Sequence, residues 1–82
     1  SNLRDIHVTD KEIRFTVERT PFKTKYVLVN GLKSLPKSVS VGGENVRQTK
    51  DIEISEKGWK YEKGSLVIKI NSSLDTGIIL SF

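Results

Sequence analysis

Cysteine and methionine are absent from this 82-residue chain, and so is alanine. Without cysteine there is neither a disulfide staple nor a thiolate metal site. One histidine, His7, cannot build a histidine metal cluster, and a histidine-paired nucleophile would hang on that single ring. No apolar run approaches the roughly 20 residues that cross a bilayer as a helix, and no signal-peptide pattern is visible, so no membrane partner is expected. The missing alanine removes the best helix former, while Val, Ile, Thr and aromatic residues supply much of the uncharged bulk. That bias predicts an all-β chain.

At this length one domain is expected, spanning 1–82 and burying roughly 60% of the surface its unfolded chain exposes. Ser1-Asn2 reads as a tag-cleavage remnant, which predicts a piece cut from a longer protein. The net charge of +4 raises the question of nucleic acid. Nucleic-acid modules gather basic residues and exposed aromatics on one face. Here the lysines are scattered from Lys11 to Lys69 with acids between them, as solvated positions and edge protection require. No nucleic-acid partner is expected.

Strand patterning is clear in several places. Glu12 to Glu18 alternates, with Ile13, Phe15 and Val17 on one face. Ile6-His7-Val8 reads as a short leading strand, and Thr20-Pro21 ends the second. Tyr26-Val27-Leu28-Val29 is apolar on both faces, which fits a central strand covered on both sides or an undecided register. Val39-Ser40-Val41 runs into Gly42-Gly43, a turn with positive φ, with Val46 to Gln48 as the return. Asp51 to Ile54 reads as another short strand, Ile52 and Ile54 inward, and Ile78, Leu80 and Phe82 as the last.

The most informative stretch is the hairpin from Trp59 through Ile70. With Glu62-Lys63-Gly64-Ser65 as the loop, Tyr61 faces Leu66 and Trp59 faces Ile68, all on one side. Lys60, Val67 and Lys69 fall on the other, where the lysines are expected in solvent with no second aromatic beside them. Together these segments predict a small antiparallel β-sandwich of about seven to nine short strands.

Chemistry is harder to find. Glycosidases need two carboxylates about 5–10 Å apart across one bond, in a pocket that raises one pKa. The acids here sit on turns or outward strand positions. Asp51 and Glu53 share a face, but it lies opposite Ile52 and Ile54 and is expected to be wet. No catalytic residue is assigned, nor any cofactor or metal site. Gly42-Gly43 opens no helix and so offers no phosphate cradle, and Asn71-Ser72-Ser73 matches a glycosylation acceptor pattern that recurs by chance. Trp59 and Tyr61 are the candidates for carbohydrate contact, since exposed aromatic rings stack on sugars. The hairpin register instead places both in the core, with their polar tips at the rim.

Leu35-Pro36-Lys37-Ser38-Val39-Ser40-Val41-Gly42-Gly43, then Trp59-Lys60-Tyr61, a Gly turn, Leu66-Val67-Ile68 and a final apolar strand form an ordered set of signals. From about Tyr26 to Phe82 this order resembles the C-terminal β-sandwich of family-31 glycoside hydrolases, the α-glucosidases and α-xylosidases. In that family the catalytic aspartates belong to a separate (β/α) barrel, so no catalytic residue carries over. The resemblance implies a non-catalytic C-terminal accessory domain of a carbohydrate-active enzyme, whose partner is the catalytic domain of its parent chain. Two other classes stand beside it: a carbohydrate-binding module using Trp59 or Tyr61, and an interaction or adhesion sandwich with an apolar patch. Likeness of fold leaves that choice to the site.

Overall fold

The computed structural model describes residues 3–53 and 57–82. Among the described residues, eight strands and no helix make up the regular structure: β1 (Leu3–Val8), β2 (Glu12–Val17), β3 (Thr24–Val29), β4 (Ser38–Val41), β5 (Glu44–Val46), β6 (Gly58–Glu62), β7 (Ser65–Asn71) and β8 (Thr76–Ser81). They form a five-stranded sheet, β1-β2-β8-β4-β5, and a three-stranded sheet, β3-β7-β6. Every strand pairing within them is antiparallel. The molecule is a small all-β sandwich.

Alternation sets which side chains meet between the sheets. Phe15 stands opposite Ile78, and Val39 opposite Leu80, on the larger sheet. Val27, Ile68 and Trp59 line up across the smaller one. These residues, with Val17, Leu66 and Ile70, form one contiguous buried core. Ile13 and Tyr61 are half-buried against it. Pro36 is fully buried at the crossing into β4, where its missing N–H needs no partner.

Two hairpins carry the same turn logic. Val41 pairs with Glu44 around Gly42-Gly43, whose φ angles are 60° and 86°. Glu62 pairs with Ser65 around Lys63-Gly64, at 50° and 81°. Positive φ at both central residues is what a two-residue turn matched to the strand twist demands. A tight turn at the glycines also explains why the return strand starts at Glu44, ahead of the expected Val46.

Three expectations change. The segment expected as a strand from Asp51 is instead irregular, with a turn at Ile52 and Glu53, and Ile54 lies outside the described residues. Ile52 is half-buried and stands apart from the main core. Tyr26 to Val29 belongs to β3, an edge strand and not a central one. Lys69 is not in solvent: only 8% exposed, its Nζ donates to the Glu53 carbonyl at 2.9 Å and lies 5.8 Å from the centre of the Tyr26 ring. Tyr26, opposite Lys69 in register, is therefore the aromatic that the outer face was expected to lack. For β3 and Lys69 the cause is non-local, the strand order and a loop laid across a face.

Candidate functional site

Trp59 sits on the inner face of β6, an edge strand of the smaller sheet, and is 4% exposed. Its indole Nε1–H donates to the Val46 carbonyl at 3.2 Å, giving the buried ring the polar partner it needs. No ring face is free for stacking. Tyr61, two residues on, is half-buried and borders an open polar hollow of about 520 Å³ with Gln48, Lys50, Lys60 and Glu62. The two aromatics thus share one face of β6 but part company in exposure.

The carboxylates are dispersed. Asp75 ties three parts of the chain together: it accepts from the Arg19 backbone N–H at 2.7 Å and from Arg4 Nη2 at 2.8 Å. The Arg19 N–H, aided by the Arg19 and Arg4 charges against partial desolvation, holds the Asp75 carboxyl below the usual carboxylate range. Lys57 does the same for Glu44 through a 2.7 Å hydrogen bond and its charge. Both are paired as structural anions. Among the described residues no cluster of His, Asp and Glu has the grouping that a metal ion requires.

The two sides of the sandwich differ sharply. On one, the chain leaving β5 runs along β6: the Trp59 N–H donates to the Arg47 carbonyl at 3.1 Å, and the Thr49 N–H to the Trp59 carbonyl at 2.8 Å. Gln48 makes a parallel bridge to Trp59. Gly58 permits this approach, because a Cβ there would lie 3.0 Å from the Arg47 carbonyl and 2.9 Å from the Thr49 methyl. That side is closed.

The other side is open along β3, whose one strand neighbour is β7. A groove of about 370 Å³ there is lined by Leu3 and Val17 of the larger sheet and by Phe22 and Thr24–Leu28. Phe22, Tyr26 and Leu28 are 69%, 53% and 59% exposed. Lys25 pairs in register with Ile70, which places its side chain on the inner face beside the apolar core. Its Nζ is buried and has no hydrogen-bond partner among the described residues. This groove was not singled out in the sequence, although the two-faced apolar run of β3 was its visible trace.

No family model matches the chain, and no curated protein matches it. Among solved structures it is similar to a GH31 dextranase from Flavobacterium johnsoniae, determined as a variant complexed with isomaltotriose. The TM-score is 0.75 at 19% sequence identity, over 94% of this chain and 12% of that one. The likeness is one of fold, and this chain spans a small part of the dextranase's length.

Proposed function

We propose that this chain is a non-catalytic accessory module of a glycoside hydrolase, packing against a catalytic barrel and stabilising it. The observation that carries the reading is the match of nearly the whole sandwich to 12% of a GH31 enzyme. A module-sized match leaves the rest of such an enzyme to do the chemistry. The paired roles of Asp75 and Glu44 and the scatter of the other acids support it, because glycoside hydrolysis needs two facing carboxylates in a pocket. Sugar contact through Trp59 is disfavoured by its burial, so of the two aromatics of β6 only the half-buried Tyr61 keeps any surface for a sugar. The test is incubation of the purified chain with aryl α- and β-glycosides at high concentration. No turnover is expected; turnover that survives repurification and vanishes on replacing one Asp or Glu would overturn the reading.

A further inference from the structure

Four strands bound the two sheets, and three of them are blunted. The chain at Arg47 to Thr49 covers β6. The short β5 exposes Glu44 and Asn45, with Glu44 paired to Lys57. In β1 the register shifts between Arg4 and His7, with Asp5 at a φ of 54°, and Arg4 and Asp5 put charge at the bulge. Bulges, charges, short length and cover are the devices that keep an edge from pairing. β3 has none of them on its outer face, which presents Tyr26 and Leu28, with Phe22 leading in.

Its one charge points inward. An ammonium buried beside aliphatic side chains without an acceptor is costly, and a carboxylate delivered to it would relieve that cost. An inward lysine on an edge strand also guards against pairing. That guard works against a second copy of this chain, which would bring its own Lys25, and fails against a partner that brings an acid.

Resting on the accessory-module reading, we propose that the β3 side is the seat by which this module docks onto the catalytic part of its own polypeptide. An Asp or Glu of that part pairs with Lys25 Nζ, and its apolar side chains cover Phe22, Tyr26 and Leu28. The charge requirement and the apolar rim occur in the same groove.

The experiment uses the complete encoded polypeptide. A zero-length carbodiimide should couple Lys25 to an Asp or Glu lying outside these 82 residues. In Lys25→Glu, amide exchange of Thr24–Val29 should accelerate by roughly tenfold while β7 stays protected as the folding control. If β7 also loses protection, the cross-link alone decides. Other lysines coupling to the catalytic part while Lys25 does not would overturn the docking face and leave the module reading standing. Coupling between two copies through β3 would overturn it as well. A complete polypeptide with no glycoside-hydrolase domain would instead overturn the reading on which the proposal rests.

Discussion

Trp59 is the residue on which the core and sugar-binding accounts differ most. Its ring is packed against Ile68 in register and its Nε1–H is bound to Val46. Trp59→Ala should therefore cost about 3–5 kcal/mol in urea unfolding, the range for a buried aromatic truncation. As the sole tryptophan it reports its own surroundings, so emission should be blue-shifted and unmoved by oligosaccharide. Unchanged stability together with a saccharide-dependent emission shift would contradict its place in the core. This placement was legible in the sequence, because a hairpin fixes facing pairs through its turn: once Lys63-Gly64 is the turn, Trp59 must meet Ile68. The exposure difference between Trp59 and Tyr61 was not legible, since it depends on where Val46 and Arg47 cross.

At the level of elements, the closed side depends on Gly58. A methyl group there would meet Arg47 backbone and the Thr49 side chain, so β6 and the crossing chain must separate. Gly58→Ala should destabilise by about 1–3 kcal/mol, the usual cost of overpacking, with faster amide exchange at Thr49 and Trp59. Stability equal to the parent protein would show that the seal gives way without cost. Strand identity was readable wherever period-two alternation ran for five residues or more, as in β2 and β7. It failed at Asp51 to Ile54, where a four-residue alternation fits a turn as well as a strand. For β3 the sequence showed apolar residues on both faces, but whether a second layer covers them is decided by strand order, which no local pattern encodes.

Across the whole molecule, Asp75 links β1 through Arg4, the chain after β2 through the Arg19 N–H, and the β7–β8 connection on which it sits. Its carboxyl is held below the ordinary aspartate pKa of about 3.9. A lowered folded-state pKa contributes stability above the unfolded value, and that contribution fades as pH falls through the lower folded value. The stability gap between the parent protein and Asp75→Asn should therefore be full at neutral pH and shrink below about pH 4. A gap that does not vary with pH would show that the hydrogen-bond geometry, and not the charge, is what Asp75 contributes.

The proposed role is that this sandwich stabilises a catalytic partner without sharing its chemistry. Scanning calorimetry of the complete encoded polypeptide, with and without residues 3–82, tests that proposal directly. Removal should lower the catalytic part's Tm by several degrees, since about 1 kcal/mol of lost contact shifts a domain of 150–250 residues by about 2–4 °C. The kcat of the enzyme that remains folded should be unchanged. An unchanged Tm, with oligosaccharide affinity as the property lost, would contradict the claim.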